Sequence, residues 1–285
     1  MVKILVTGEK GELSVAVKEY LIRNGNEDTT CISVRGDKWK NVSFRGVDSI
    51  VHIAGIVPQK GVSAQLFYQV NRDLTGEVAR KAKIDGVRQF VYISSMAVYG
   101  IEPDIAVNRG TIYADTPCNP TSDYGKSKMQ AEEILKELSG ENFCVAIIRV
   151  PSIYSDTKRE YFKQYQFLMS KMKCIPIAFQ KCYRSAIYLE NLTELIRLTI
   201  EENFNGILCP DDGSITTVQH CLLSTQNMKQ SRIVGLIVET VLSKHPIIRG
   251  VYGTIAYDAS LSDCFNGRYR IVEYEMIKER LGNVK

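Results

Sequence analysis

The sequence predicts an α/β fold, a Rossmann-like doubly wound parallel sheet followed by a smaller C-terminal region. Three observations lead to this prediction. Short β-branched runs alternate with amphipathic segments through the first half of the chain. Each run is largely apolar, as strands buried on both faces require. A turn containing two glycines follows the first run. The chain has 285 residues, which suffices for a sizeable core and suggests about two domains.

Five strands and three helices are predicted in the first half. The strands are residues 3–6, 30–34, 50–54, 90–94 and 144–149. The helices between them are residues 13–24, 64–85 and 120–138. The third helix has a start signal in its Pro-Thr-Ser-Asp sequence and a stop signal in Gly140. The alternation of the two element types therefore indicates parallel strands joined by helical crossovers.

The second half has weaker signals. We predict helices at residues 158–172, 190–202, 218–225 and 233–242, and a strand at 185–189. The apolar spacing of 233–242 favours a core-facing helix, and a surface that binds a partner is the alternative. No repeat, low-complexity tract or Pro/Gly linker separates this half from the first. Any second domain is therefore expected to pack against the first.

Composition excludes several function classes. The net charge is +4, from 36 Lys and Arg against 32 Asp and Glu, without any block of five or more like charges. Neither nucleic acid nor a membrane is therefore expected as a partner, and no apolar run approaches the ~18 residues of a membrane span. The eight cysteines form no CxxC pair or metal-ligand spacing with the three histidines. We expect reduced thiols, no metal site and a cytoplasmic location.

A phosphate-binding turn is predicted between the first strand and the first helix. Gly8 and Gly11 would let the backbone approach a pyrophosphate closely. The amides of Glu12 and Leu13, at the N-terminus of the helix, would then hold it. Ser14 stands where the usual fingerprint has a third glycine. A plain tight turn is the alternative, although serine is still small enough for close helix packing.

The end of the second strand does not decide between NAD and NADP. An acidic residue that would accept from the adenosine ribose is not evident there, and the strand is followed by Arg35. Arg35 could meet a 2′-phosphate or stack on the adenine. These residues therefore leave both NAD and NADP open.

A catalytic constellation is the strongest signal in the sequence. Two serines, Ser94 and Ser95, end the fourth strand, and Tyr124 and Lys128 lie four residues apart on one helix face. A phenol with a pKa near ~10 is a poor base at neutral pH. A neighbouring ammonium and an oxidised nicotinamide would both favour its phenolate. Pairs of Tyr and Lys at this spacing are common on helices. The hypothesis of a catalytic site therefore depends on the combination of this pair with the glycine turn.

With these motifs the chain resembles the extended short-chain dehydrogenase/reductase family, and within it the NAD-dependent nucleotide-sugar epimerases of the UDP-glucose 4-epimerase type. The resemblance runs from Thr7 to about Leu192. The segments that carry it are residues 7–11, 52–55, 71, 94–100, 124–128, 149–152 and 184–188.

The resemblance implies a role for each matching residue. Tyr124 would be the general base, Lys128 would bind the nicotinamide ribose and lower the pKa of Tyr124, and Ser95 would share the substrate proton. Ser94 is the second candidate for the serine role. Residues implied to border the cofactor are Ala54, Gly55, Asn71, Ser94 and Pro151, although Asn71 could instead be a helix-bend residue.

The resemblance also implies a nucleotide-sugar substrate. Ser152 and Arg184 would contact it, Arg184 through the diphosphate, for which a guanidinium fork is suited. Family members often carry Asn at the position of Ser152, and Arg184 could instead be a surface ion-pair partner. Residues 1–155 would form the dinucleotide-binding domain and 156–285 mainly the substrate-binding region, with about 183–202 returning to the first domain. A homodimer is expected by the same resemblance.

Three other activities compete with the epimerase hypothesis. Sugar dehydratases need a further acid and base at the end of the catalytic strand, where this chain has Met96 and Ala97. An NAD(P)H-dependent reductase or dehydrogenase of a keto sugar or other small carbonyl would use the same Ser/Tyr/Lys set, and Arg35 favours it. A non-catalytic nucleotide-binding module is favoured by the imperfect glycine turn and by the C-terminal segment that does not match the family, whereas the complete set of Ser95, Tyr124 and Lys128 opposes it.

Overall fold

A computed structural model describes residues 2–156, 162–213, 215–225 and 228–283. Its centre is a sheet of six parallel strands in the order β10-β6-β4-β3-β1-β2. The strands, in chain order, are β1 (Ile4–Thr7), β2 (Thr29–Ile32), β3 (Ser49–His52), β4 (Gln89–Ser95), β5 (Thr111–Ile112), β6 (Cys144–Val150), β7 (Ser152–Tyr154), β8 (Ile175–Pro176), β9 (Ala186–Tyr188), β10 (Gly206–Leu208), β11 (Gln230–Ser231) and β12 (Ala256–Tyr257).

Helices lie on both faces of this sheet and in the C-terminal half. They are α1 (Glu12–Arg23), α2 (Ala64–Phe67), α3 (Thr75–Ile84), α4 (Val107–Gly110), α5 (Asp123–Leu138), α6 (Lys163–Met172), α7 (Leu189–Glu201), α8 (Thr217–Ser224), α9 (Arg232–Val241), α10 (Pro246–Tyr252), α11 (Ala259–Ser262) and α12 (Tyr274–Asn283). Helices α1 and α7 share one apolar core with the sheet, and α3 and α5 share the other. The predicted Rossmann-like fold is confirmed.

The five predicted strands are all present in the sheet, and the sixth, β10, was not predicted. It pairs with β6 along only three residues, so its sequence offers too short a run to recognise. The helix predicted at 64–85 is also present, but a π-helical turn at Tyr68–Leu74 separates α2 from α3. Because each π turn inserts a residue, this segment changes which side chains of the helix face the sheet.

The C-terminal half is built from short pieces around its own apolar core. Two two-stranded parallel pairs, β7 with β9 and β5 with β12, join it to segments of the first half, and a third pair, β8 with β11, lies within it. The helix predicted at 158–172 is described from Lys163 onward, and residues 157–161 lie outside the described part of the chain. Within the described ranges, no helix is both long enough and apolar enough to cross a membrane.

Helix α9 corrects one prediction. The apolar spacing of residues 233–242 predicts a helix that faces the core, yet only Gly235 and Val238 of α9 are buried. Four large apolar residues of the same helix are exposed: Ile233, Leu236, Ile237 and Val241. The helix therefore has one apolar face that is buried and another that is exposed. A count of apolar residues in the sequence does not show which residue belongs to which face.

Candidate active site

The glycine turn after β1 has the geometry of a phosphate cradle. Gly8 has a φ of +101°, a conformation in which a side chain would be strained. A Cβ at either Gly8 or Gly11 would lie 2.8 Å from Oγ of Ser14. The serine hydroxyl thus fills the space between the two glycines, and it has no hydrogen-bond partner among the described residues. No side chain caps the N-terminus of α1, which leaves that end of the helix suited to an anion.

A buried polar network holds this turn beside the end of β3. Oγ1 of Thr7 accepts hydrogen bonds from the backbone amides of Ile53 and Ala54, each at 3.1 Å. It lies 3.0 Å from Nδ1 of His52, whose Nε2 lies 3.1 Å from Oγ1 of Thr75. Burial lowers the pKa of His52 to about 3, and the charge of Lys128 contributes in the same direction. The imidazole is therefore neutral and structural at physiological pH.

Asn71 hydrogen-bonds the chain segment that follows β3. Its Oδ1 accepts from the amide of Ile56 at 2.8 Å, and its Nδ2 donates to the Ile56 carbonyl at 3.0 Å and to Oγ of Ser127 at 3.3 Å. Asn71 is fully buried and lies within the π-helical turn. A Cβ at Gly55 would lie 3.0 Å from Oδ1 of Asn71 and 3.6 Å from Nζ of Lys128. The backbone at Gly55 thus runs close beside Lys128.

The side chain of Lys128 contacts strand β4 of the sheet. Its Nζ donates to the carbonyl of Ile93 in β4 at 2.8 Å and lies 4.7 Å from the centre of the Tyr92 ring. Burial lowers the pKa of Lys128 to about 8, and the negative charge of Glu132 partly opposes this shift. A cation of this kind loses its charge in the mildly alkaline range.

Tyr124 and Ser95 converge on one another above the end of β4. Ser122 caps α5, and Tyr124 lies in the first turn of this helix, one turn before Lys128. Burial raises the pKa of Tyr124, and a hydrogen bond with Ser95 acts in the opposite direction. The ring of Phe67 meets the Tyr124 ring edge-on at 5.9 Å between centroids. Without a cofactor, the phenol is therefore protonated at neutral pH.

The two adjacent serines have different surroundings. Oγ of Ser94 donates to Oε1 of Glu132 at 2.5 Å in a buried position. Ser95 is half-buried, and its Oγ accepts from the amide of Ala97 at 3.2 Å. The Ser94 hydroxyl thus supports the ion pair of Glu132, whereas the Ser95 hydroxyl is the one that lowers the pKa of Tyr124.

Three further residues, Pro151, Ser152 and Arg35, were predicted to contact the cofactor or the substrate. Pro151 is buried directly after β6, and Ser152 is exposed on β7, where it pairs with Ala186. Arg35 is exposed, three residues beyond the end of β2. These positions follow the carboxyl ends of central strands, the edge at which open α/β sheets bind ligands.

Arg184 lines a cavity of about 290 Å³ with residues of the C-terminal half, among them Tyr183, Ser185 and Tyr257. Its Nη2 donates to the carbonyl of Gly250 at 2.9 Å. Neither Ser95, Tyr124 nor Lys128 is among the described residues that line this cavity. Arg184 is thus placed by the second half of the chain, apart from the three catalytic candidates.

Two groups of contacts at the site were not predicted, although Thr7, His52 and Arg149 lie in segments that carry the resemblance. One is the hydrogen-bond network of Thr7 and His52. The other is the buried pair of Glu132 and Arg149, joined at 2.6 Å behind α5. Among the described residues, no cluster of His, Cys, Asp or Glu is arranged to hold a metal ion.

The arrangement fits a dinucleotide cofactor. A Cβ at Gly8 would lie 3.7 Å from the amide nitrogen of Ala54, so the turn adjoins the backbone that leads to Gly55 and Lys128. The turn, that backbone, Lys128 and Tyr124 thus form one continuous path along the carboxyl edge of the sheet. Phosphate would be held at the turn, and the nicotinamide ribose would reach Lys128.

Comparisons with known proteins agree with this geometry. A model of the NAD dependent epimerase/dehydratase family matches residues 4–175. The chain is 27% identical to UDP-glucose 4-epimerase of Vibrio cholerae over 98% of this chain and 89% of that protein. It is 26% identical to N-acetyl-alpha-D-glucosaminyl-diphospho-ditrans,octacis-undecaprenol 4-epimerase of Escherichia coli O157:H7 over 70% of this chain and 63% of that protein. The second match thus spans less than two thirds of its relative's length.

A solved structure shares the whole fold. The UDP-Glc/GlcNAc 4-epimerase of Campylobacter jejuni superposes with a TM-score of 0.69 at 15% identity, covering 99% of this chain and 98% of that one. At this level of identity the likeness concerns the fold alone.

Proposed function

Because the chain belongs to the NAD-dependent epimerase/dehydratase family, we propose that it is a nucleotide-sugar 4-epimerase that uses NAD and interconverts sugars of the UDP-glucose and UDP-galactose type. The reaction would pass through a transient 4-keto sugar. The observation that carries this proposal is the placement of Tyr124 and Lys128 one turn apart on α5, with Lys128 bonded to β4 and the glycine turn at the same edge of the sheet.

Each residue has a distinct part in the proposed reaction. When bound, the nicotinamide takes up a hydride from the sugar and returns it. Tyr124 removes the proton from the sugar hydroxyl and gives it back, which is general acid–base catalysis. Ser95 hydrogen-bonds the same substrate oxygen and keeps the phenol oriented. Lys128 binds the ribose hydroxyls and favours the phenolate of Tyr124 by its positive charge.

The substrate would be held mainly by its diphosphate and nucleotide, since a sugar that reacts on both faces must turn in its pocket. We propose that Ser152 borders the sugar and that Arg184 contacts the diphosphate. For Arg184 this requires its guanidinium to turn from the Gly250 carbonyl, which it contacts at 2.9 Å, toward the substrate. Ser152 is exposed at the end of β7 and presents a small hydroxyl.

A reductase that uses NADPH is the second candidate, because of Arg35. This exposed cation follows β2, where the adenosine ribose would lie, and could pair with a 2′-phosphate. The nearby Asp37 is paired with Lys40 at 3.0 Å. The same Ser95, Tyr124 and Lys128 would then reduce a keto substrate in one direction.

A single preparation of purified protein tests these proposals. The protein is denatured, any released nicotinamide is identified by mass, and the native protein is assayed with UDP-glucose and UDP-galactose without added cofactor. Bound NAD with interconversion of the two sugars is the expected result. Activity only with added NADPH and a keto substrate would replace the proposal by the reductase. The lipid-linked sugar substrate named for the Escherichia coli relative belongs in the same assay.

We also propose a homodimer formed through helices that include α5, and a cytoplasmic location. Both are carried by the family resemblance. Sedimentation equilibrium of the purified chain tests the first, and fractionation of the source cells tests the second.

A further inference from the structure

Helix α9 presents an apolar face that no described residue covers. Ile233, Leu236, Ile237 and Val241 are 77%, 62%, 49% and 71% exposed. Their spacing of three and four residues places them on one side of the helix. Thr240 lies within the same side, and its hydroxyl donates to the Leu236 carbonyl at 2.8 Å, so its hydrogen-bonding capacity is directed to the helix itself.

The opposite side of α9 is fixed tightly to the protein. A Cβ at Gly235 would lie 2.1 Å from the carbonyl oxygen of Ile177, so the helix backbone rests directly on that segment. Val238 is fully buried, and Oε1 of Glu239 accepts from the amide of Phe179 at 2.5 Å. The exposed side is therefore held outward by rigid packing and is not a loosely docked core element.

The charges around this helix are one-sided. Between residues 228 and 250 the acidic residue is Glu239, whose carboxylate is directed to the Phe179 amide. The same segment carries Lys229, Arg232, Lys244 and Arg249, of which Arg249 is paired with Asp104 at 3.0 Å. Lys229, Arg232 and Lys244 are exposed at the two ends of the helix. Cations thus flank the apolar face at both ends.

We propose that this apolar face of α9, with its flanking cations, is a docking surface for an anionic lipid bilayer. A short amphipathic helix with an apolar face and flanking Lys and Arg lies in the membrane interface with its apolar side among the acyl chains. The exposed cations Lys229, Arg232 and Lys244 at both ends of this face complement the negative charge of such a bilayer, which favours peripheral, reversible membrane contact.

This surface differs from the sequence-based expectation that no membrane partner is needed. That expectation rests on the small net charge of the whole chain and on the lack of a spanning segment. A helix that lies in the interface requires only a local arrangement of apolar and basic residues. The inference stands on the surface of α9 and does not depend on the proposed enzymatic activity.

Binding to vesicles tests the proposal. The full chain is sedimented with vesicles of phosphatidylglycerol and phosphatidylcholine in equal parts, and with vesicles of phosphatidylcholine alone. We expect binding to the first that weakens as salt rises, and weaker binding to the second. The variant Ile233→Glu/Leu236→Glu should bind at least about tenfold more weakly, because two apolar side chains no longer enter the bilayer. Lys229→Gln/Lys244→Gln should lose the preference for the anionic vesicles.

Ile84→Glu is the matched control, since Ile84 is 82% exposed at the end of α3. It should bind vesicles like the unmodified protein, and thermal unfolding of all variants verifies that they are folded. No binding to anionic vesicles would overturn the proposal, as would equal loss in the control. Concentration-dependent self-association that Ile233→Glu/Leu236→Glu abolishes, without vesicle binding, would assign the face to a second copy of the chain.

Discussion

Glu132, on the helix that carries Tyr124 and Lys128, forms a buried ion pair with Arg149 of β6. Oε2 of Glu132 and Nη2 of Arg149 are 2.6 Å apart, and their side chains are 1% and 7% exposed. Glu132 also accepts from Ser94, and Nη1 of Arg149 donates to the hydroxyl of Tyr99 at 2.8 Å. The pair joins α5, which carries Tyr124 and Lys128, to β6 and the end of β4.

Removal of the charge of Glu132 should therefore destabilise the protein strongly. A buried pair that loses one partner leaves an uncompensated charge, which costs about 3–5 kcal/mol. We expect Glu132→Gln to lower the free energy of unfolding by that amount in urea denaturation. Glu133→Gln, at the exposed neighbouring position, is the control and should change it little. A loss below about 1 kcal/mol for Glu132→Gln would show that this pair does not anchor the helix.

The pH dependence of activity should report Lys128. Its pKa is lowered to about 8 by burial, so its positive charge is present below that pH and is lost as the pH rises through it. Because the cation favours the phenolate of Tyr124, kcat/KM should decline above about pH 8. In Lys128→Met the residual activity should lack this decline. If the decline persists in that variant, another group is responsible for it.

Replacement of the proposed base should separate chemistry from binding. In Tyr124→Phe the ring and its contact with Phe67 remain, while the hydroxyl that exchanges the proton is lost. We expect kcat to fall by about 10²–10⁴-fold with cofactor affinity nearly unchanged. Tyr274→Phe, on α12 and outside the lining of the cavity that contains Arg184, serves as the control. Full activity of Tyr124→Phe would exclude Tyr124 as the base.

The glycine turn can be tested against a glycine of similar conformation elsewhere. Gly8 and Gly86 have φ values of +101° and +85°, but only a Cβ at Gly8 would meet other atoms. We expect Gly8→Ala to weaken NAD binding at least about tenfold in calorimetry, because the backbone and Ser14 must shift. Gly86→Ala carries comparable backbone strain and should leave NAD affinity unchanged. Equal affinities in both variants would contradict the assignment of the turn.

The sequence predicts the central fold well because each signal there is local. Strands of four to seven residues that are buried on both faces leave apolar runs, and the glycine turn and the spacing of Tyr124 and Lys128 are visible in the chain itself. Strand β10 was not predicted because three residues are too few to form a recognisable pattern. The π-helical turn at Asn71 was not predicted because its formation depends on how the helix packs, and no residue type specifies such a turn.

Other features depend on contacts between distant segments. Two serines in succession end β4, and only the fold shows that Ser95 meets Tyr124 while Ser94 meets Glu132. The neutral state of His52 likewise follows from its burial between Thr7 and Thr75. The two faces of α9 are distinguished by the close approach of Gly235 to Ile177, which the apolar spacing cannot reveal.

The central claim, reversible removal and return of hydrogen at one sugar carbon, is tested most directly with UDP-glucose that carries deuterium at C4. The purified protein is incubated with this substrate and the UDP-galactose formed is analysed by mass and NMR. An epimerase that returns the same hydride yields UDP-galactose with the deuterium retained at C4. Product without deuterium, or deuterium transferred to free NAD(P)H with no UDP-galactose formed, would contradict the proposed 4-epimerase.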